Sequence, residues 1–199
     1  FIRLENYQRN PNAVIRNKYS PNGEKIITHI SNFRPVKRIP DIVNAFKKII
    51  EFQPATLLLI GDGPERDNVE RMCRELGVCE HIHFLGSIKY PQDVLQISDL
   101  FMLPSETESF GLAALEAMAS GVPVIASNTG GLPEVVENGV GGLLHEVGDV
   151  EEMVKNAQRI FNDSANFKKQ ASERAKGFSI DQVLSQYIEL YDSLLSVQC

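Results

Sequence analysis

The chain has 199 residues, 43% of them hydrophobic, with 20 Lys and Arg against 26 Asp and Glu for a formal charge of −6. That length buries one substantial core, or one domain plus a tail. The acidic balance argues against nucleic acid or an anionic membrane as the main partner, so a bound anion must be met by a local cluster of donors.

Residues 1–21 are polar and irregular, with turn signals at Asn10-Pro11-Asn12 and Ser20-Pro21-Asn22-Gly23. They read as a linker into a domain spanning residues 22–177. Within it, apolar runs and amphipathic stripes alternate at roughly 20-residue steps. Ile26–Ile30 is a strand of β-branched residues. Ile39, Ile42, Val43, Phe46, Ile49 and Ile50 then follow at helix spacing. Leu57–Ile60 is a buried strand closed by Gly61-Asp62-Gly63-Pro64, and Val69, Met72 and Leu76 mark a helix ended by Gly77. Strands are predicted at Ile82–Leu85, Leu100–Leu103 and Val122–Ala126, with a short edge strand at Gly142–Leu144. Asp149 with Glu152 forms a capping arrangement for a helix carrying Val150, Met153, Val154, Ala157, Ile160 and Phe161. Strands this apolar, separated by helices, predict an α/β fold, a Rossmann-like parallel sheet with helices on both faces. Residues 178–199 form an amphipathic terminal helix whose apolar face needs a partner, either this domain or one outside the chain.

Cys73, Cys79 and Cys199 have no metal-ligand spacing and leave an odd thiol, which suits a reducing cytosol. No run approaches the roughly 18 consecutive apolar residues of a membrane span, and no signal peptide is visible, so a cytoplasmic location is expected. The chain opens on Phe1 rather than Met, as a fragment or processed form would.

Two glutamates carry the sharpest chemical signal. Glu108 and Glu116 stand eight positions apart, between the Leu100–Leu103 strand and a Leu- and Ala-rich helix ending at Ser120-Gly121. Glu108 would lie in the loop at the strand's carboxyl end, where ligands of open α/β sheets bind, with Glu116 one and a half turns into the helix. The N–H groups of Ser109, Phe110, Gly111 and Leu112 would face the same crevice and could hold a phosphate. Carboxylates for sugar hydroxyls beside donors for phosphate suit a nucleotide sugar. Solvated helix-start charges would show the same spacing.

A second constellation, Ser31-Asn32-Phe33-Arg34-Pro35-Val36-Lys37-Arg38, follows the first strand. Its three cations could clamp a diphosphate, or could be a solvated basic turn. Gly61-Asp62-Gly63-Pro64 lacks the third glycine of a dinucleotide fingerprint, since Arg66 stands there, and reads as a tight turn that could lend backbone to a nucleotide. Gly130-Gly131-Leu132-Pro133-Glu134 could approach a ligand or serve packing. His29 reads as a core residue, and His81 and His83 flank a strand. No general base, nucleophile elbow, zinc pattern or Walker sequence is evident.

Together, Glu108-Ser109-Phe110-Gly111-Leu112 with Glu116, Gly61-Asp62-Gly63-Pro64, Phe84-Leu85-Gly86, the run Glu116 to Val124, and Gly130 to Glu134 resemble, in order and spacing, the carboxyl-terminal donor domain of retaining GT-B glycosyltransferases. The family includes sucrose and trehalose-type synthases, and the resemblance covers about residues 24–195. The Ser31-Asn32-Phe33-Arg34 opening resembles the branch that joins N-acetylglucosamine to L-malate in bacillithiol biosynthesis. One departure is Asn32, where the family usually places Arg five residues before its phosphate lysine.

The resemblance implies roles. Lys37, with Arg34, would neutralise the diphosphate of a UDP-sugar. Glu108 would hold the transferred sugar, Ser109 to Leu112 would donate to sugar and phosphate, and Glu116 would grip the ribose. Asn32 and Gly61 would line the donor site, and the backbone around His83 and Leu85 would read the base. Transfer would retain configuration without a metal or other cofactor. A small-molecule acceptor would be held by an amino-terminal domain outside this chain. A homo-oligomer, a GT-B epimerase or phosphorylase, and a nucleotide-binding module without catalysis remain alternatives.

Overall fold

Six apolar segments form a single parallel sheet in the computed structural model, which describes residues 2–7 and 12–196. The strands are β1 (Lys25–Ile30), β2 (Ala55–Ile60), β3 (Ile82–Gly86), β4 (Leu100–Leu103), β5 (Val124–Ser127) and β6 (Gly142–His145). They lie in the order β3-β2-β1-β4-β5-β6, every pair parallel. β2, β4 and β5 are buried at every position, which is why their sequences do not alternate. From β1 the chain builds outward through β2 and β3, then returns to place β4 on the other flank, with Ile27 opposite Leu100 and Thr28 opposite Phe101. The direction of winding therefore reverses between β1 and β4. Their following loops diverge and leave a crevice at the carboxyl ends, where such sheets bind ligands.

The helices are α1 (Ala13–Tyr19), α2 (Ile39–Ile49), α3 (Arg66–Glu75), α4 (Pro91–Leu95), α5 (Leu112–Ala119), α6 (Leu132–Val135), α7 (Val150–Asn162), α8 (Ser164–Lys176) and α9 (Ile180–Ser196). They cover both faces of the sheet. On one face, Ile42, Phe46 and Ile49 of α2 and Met153, Ala157 and Ile160 of α7 share a core with Ile27, Leu57, Leu59, Met102 and Ile125. On the other, Leu115 and Met118 of α5 and Ala171 of α8 pack with Phe101, Leu103 and Val124. Each fully buried aliphatic or aromatic side chain contributes about 1.5–3 kcal/mol, so these two layers dominate the stability. The Asp149 cap forms as expected, its carboxylate accepting from the Glu152 N–H at 2.9 Å.

Two expectations change. The leading segment is not irregular where it is described. Leu4–Tyr7 forms a 3-10 turn, Asn12 caps α1 by accepting from Val14 and Ile15, and Ile2 is buried, its carbonyl accepting from Ile180 at 3.0 Å. Polar composition hid the Ile2 anchor because it is a single residue whose partners, Phe178 and Ile180, lie far away in sequence. Cys73 and Cys79 are joined in a disulfide with Cα atoms 5.0 Å apart, so cysteine usage no longer argues for a reducing compartment. The Asn10-Pro11 turn signal and Cys199 lie outside the described residues. On α9, Leu184, Tyr187, Ile188, Tyr191, Leu194 and Leu195 are all exposed, and no described residue covers that stripe. Among the described residues, no helix is long and apolar enough to cross a membrane.

A buried ion cluster ties the parts together. Asp99, 3% exposed, accepts from Arg16 of α1 at 2.8 Å, Lys168 of α8 at 2.7 Å and the Ile26 N–H of β1 at 3.1 Å. Burial by itself would raise its carboxyl pKa. The Lys168 and Arg16 charges and the Ile26 N–H outweigh that and hold it below the usual value.

Candidate active site

The β1 side of the crevice is a loop pinned from below. Phe33 is fully buried, and the Glu65 N–H donates to its carbonyl at 2.9 Å. Gly61 is what lets β2 approach so closely, since a Cβ there would lie 1.8 Å from the Ser31 carbonyl oxygen. The Gly61-Asp62-Gly63-Pro64 turn thus shapes the β1 loop by packing. Pro35–Lys37 then makes one 3-10 turn, and Arg38 takes a left-handed φ of 51°. Arg38 pairs with Asp41 at 2.6 Å and does not line the crevice. Of the three cations, Arg34 and Lys37 remain at the opening.

The β4 side is stitched to it. The Glu106 N–H donates to the Val36 carbonyl at 2.8 Å. Lys37 Nζ stands 2.5 Å from Glu108 Oε2, across 71 residues of sequence, with both side chains 18% exposed. Ser105 Oγ is within 3.4 Å of the same oxygen. The Gly130-Gly131 turn props up Glu108 from behind. The Gly131 N–H donates to the Glu108 carbonyl at 2.9 Å, and a Cβ on Gly130 would fall 2.0 Å from that carbonyl oxygen. Of the two uses open to this turn, packing is the one found.

Gly111 opens α5 at φ +88°, and no side chain caps the helix. Among the described residues, the Leu112 and Ala113 N–H groups find no acceptor, so the positive end of α5 is bare. One turn on, Glu116 presents its carboxylate beside them. Its Oε1 accepts from the Tyr7 hydroxyl at 2.9 Å.

Two adjoining clefts result. One, of about 420 Å³, is bounded by Asn32, Arg34, Lys37, Glu108, Ser109 and Gly130. The other, of about 350 Å³, is bounded by Ser31, Asn32, Lys37, Glu108, Leu112 and Glu116. Asn32, Lys37 and Glu108 belong to both. The structure therefore brings together Asn32, Arg34, Lys37, Glu108, Ser109, Leu112 and Glu116.

The side chains of the other expected site residues do not border these two clefts. Phe110 packs edge-on against Phe178, with centroids 6.1 Å apart, and Gly111 is buried against Leu132. The His83 ring stands 5.3 Å from Tyr19 in a separate cleft with Lys18 of α1 and with Ala55 and Thr56 at the amino end of β2. Ala55 and Thr56 open β2, so that cleft lies away from the crevice, while the His83 backbone pairs with Leu58 in mid-strand. Leu85 is half-buried, its side chain packed against the cluster that contains Ile60, so its backbone is what remains for a base. Sequence reasoning missed Tyr7, Thr129 and the Ser31 hydroxyl. Tyr7 carries no local signal, because its partner is 109 residues away.

His29 underlies the crevice without entering it. It is fully buried, with Nδ1 2.8 Å from the Met102 carbonyl and Nε2 2.7 Å from Ser31 Oγ. The carbonyl can only accept, so Nδ1 carries the proton and the Ser31 hydroxyl donates to Nε2. Burial lowers the ring pKa to about 4, with the nearby Lys37 charge acting the same way. A neutral imidazole with both nitrogens engaged positions Ser31 and is no base. Among the described residues, no three His, Cys, Asp or Glu side chains gather as a metal site would need.

A doubly wound sheet with a cation, two carboxylates and a bare helix start at its switch point places this chain among the Rossmann-like α/β domains. The family profile for glycosyl transferases group 1 matches residues 12–178, and the chain belongs to that family. It is 39% identical over 201 residues to the N-acetyl-alpha-D-glucosaminyl L-malate synthase of Bacillus anthracis, covering 98% of this chain and 52% of that protein. Sucrose-phosphate synthase from Thermosynechococcus elongatus superposes with a TM-score of 0.83 at 30% identity, over 99% of this chain and 52% of that one. Anabaena HepE in complex with UDP and glucose superposes with a TM-score of 0.86 at 25% identity, over 96% and 55%. The chain thus spans about half the length of these proteins, and its sheet is one half of a GT-B architecture.

Proposed function

We propose that this chain is the donor-binding half of a retaining glycosyltransferase that takes a UDP-sugar. The observation carrying the reading is the Lys37–Glu108 pair, 2.5 Å apart at the β1/β4 switch point beside the open start of α5. A nucleoside diphosphate sugar needs a cation for phosphate, carboxylates for hydroxyls and N–H donors for the oxyanion, and these residues supply all three in adjoining clefts. The complex of HepE with UDP and glucose supports the choice of nucleotide. The 39% identity to an N-acetyl-alpha-D-glucosaminyl L-malate synthase supports N-acetylglucosamine as the sugar and L-malate as the acceptor.

In this reading Lys37 keeps two of its three N–H donors for the diphosphate after serving Glu108. Charge accumulates on the leaving phosphate as the glycosidic bond breaks, so Lys37, Arg34 and the α5 amides stabilise the transition state more than the bound donor. Glu108 holds hydroxyls of the sugar, and Glu116 holds the ribose. The leaving phosphate takes the acceptor's proton on the same face, which retains configuration and requires no protein base. Positive charge from side chains and amides makes the transfer metal-independent. The acceptor pocket belongs to a second domain, and closing the two aligns the reactants.

Calorimetry of this chain with UDP, and a transfer assay of this chain and of the full-length protein with UDP-N-acetylglucosamine and L-malate, test the reading. The chain should bind UDP yet transfer nothing, because aligning the acceptor supplies roughly 7–11 kcal/mol of the barrier. No UDP binding refutes the donor site. Turnover by the chain alone refutes the need for a second domain. No full-length turnover with L-malate refutes L-malate as the acceptor.

A further inference from the structure

The Tyr7–Glu116 contact joins the leading segment to the heart of the crevice, and nothing in the roles above uses it. The Tyr7 hydroxyl donates to Glu116 Oε1 at 2.9 Å, while Oε2 has no partner among the described residues and Glu116 borders the cleft shared with Lys37. The tyrosine ring is itself half-buried against the cluster that contains Ala114, Ala117 and Met118 of α5. Five residues earlier Ile2 is locked between Phe178 and Ile180 by backbone hydrogen bonds of 3.3 and 3.0 Å. The phenol is thus held from both sides, and it holds one oxygen of an otherwise flexible glutamate.

We propose that Tyr7 is a positioning residue for the nucleotide's pentose, orienting the Glu116 carboxylate so that Oε2 is presented to the vicinal diol. The proposal rests on the reading of Glu116 as the ribose ligand. A glutamate ordered before the nucleotide arrives spares the binding step the cost of freezing that side chain. Oε1 retains a second lone pair, so it can accept from Tyr7 and from a sugar hydroxyl at once. Burial and the neighbouring carboxylate raise the Tyr7 pKa well above its usual value, so the phenol keeps its proton and remains the donor at neutral pH.

Titrations of UDP and 2′-deoxy-UDP into this chain, its Tyr7→Phe variant and its Glu116→Ala variant test the idea. Phenylalanine keeps the ring packing and deletes only the donor. Tyr7→Phe should weaken UDP about threefold to tenfold, the worth of one hydrogen bond, and weaken 2′-deoxy-UDP by less than about twofold. In the Glu116→Ala background the Tyr7→Phe change should then have no further effect. Equal losses for the two nucleotides would show a merely structural tyrosine and overturn the proposal. No loss, or tighter UDP binding, overturns it as well, the latter by showing that Tyr7 competes with the ribose. If Glu116→Ala itself leaves the preference for ribose intact, the ribose assignment fails first and this inference falls with it.

Discussion

Replacing Lys37 by alanine removes a cation from the place assigned to the diphosphate and strips Glu108 of its partner. Lys37 Nζ and Glu108 Oε2 are 2.5 Å apart, and each side chain is 18% exposed, so the pair is neither fully solvated nor dry. A lost charge-assisted hydrogen bond is worth about 1.5–3 kcal/mol, a factor of about 10–150 in Kd. Glu108 then adds to the loss, because an unpaired carboxylate roughly 6 Å from a phosphate charge repels it by up to about 3 kcal/mol at an effective dielectric of about 20. Salt in an open cleft trims that second contribution. The expected outcome for Lys37→Ala is a UDP affinity lower by about 100-fold, near the top of the hydrogen-bond range. Uridine, which has no phosphate, should change by less than about twofold. Glu108→Gln should do the opposite for UDP and tighten it, since the carboxylate charge no longer competes for Lys37, while the UDP-sugar gains less because its hydroxyls lose a charged acceptor. In the full-length enzyme, Lys37→Ala should lower kcat more than it raises KM, because the leaving group's charge grows in the transition state. Calorimetry with UDP and uridine reads the first two effects. Equal losses for UDP and uridine, or a Glu108→Gln variant that binds UDP as poorly as Lys37→Ala, would refute the charge assignment.

Substitutions at three further positions test the scaffold. Gly130→Ala places a Cβ 2.0 Å from the Glu108 carbonyl oxygen at a φ of +53°, so it should cost more than about 2 kcal/mol in urea unfolding and also blunt UDP binding by displacing Glu108. Gly23→Ala, equally left-handed at φ +85° but with nothing within 4 Å, is the control and should cost only about 1 kcal/mol and leave UDP binding alone. Asp99→Ala should destabilise by about 3 kcal/mol, the low end for breaking a buried pair. The reason is that its partners Arg16 and Lys168 are 31% and 21% exposed and can rehydrate. Because the native pKa of Asp99 is lowered, its contribution is fully present above the unfolded value of about 3.9 and is lost as pH falls through the native one. Stability curves of the parent and Asp99→Asn should therefore differ at pH 7 and converge in acid, and a constant gap would contradict the ion cluster.

What could be read directly from the residues was everything that repeats locally. Runs such as Leu57–Ile60 and Leu100–Leu103 are apolar throughout because both faces of their strands are buried, and the stripe from Ile39 to Ile49 has helix period because one face is. Those periods report burial residue by residue, which sufficed for a parallel sheet with Glu108 and Glu116 near a strand end. They contain nothing about which strand lies beside which. Only the tertiary packing put β4 next to β1, and that choice made Lys37 and Glu108 neighbours across 71 positions. It also set the His83 ring against Tyr19 of α1, away from the crevice, and folded Tyr7 back over Glu116. Such contacts arise because the two core layers must close on both faces of one sheet, an arrangement decided by the whole set of buried side chains rather than by any window of sequence.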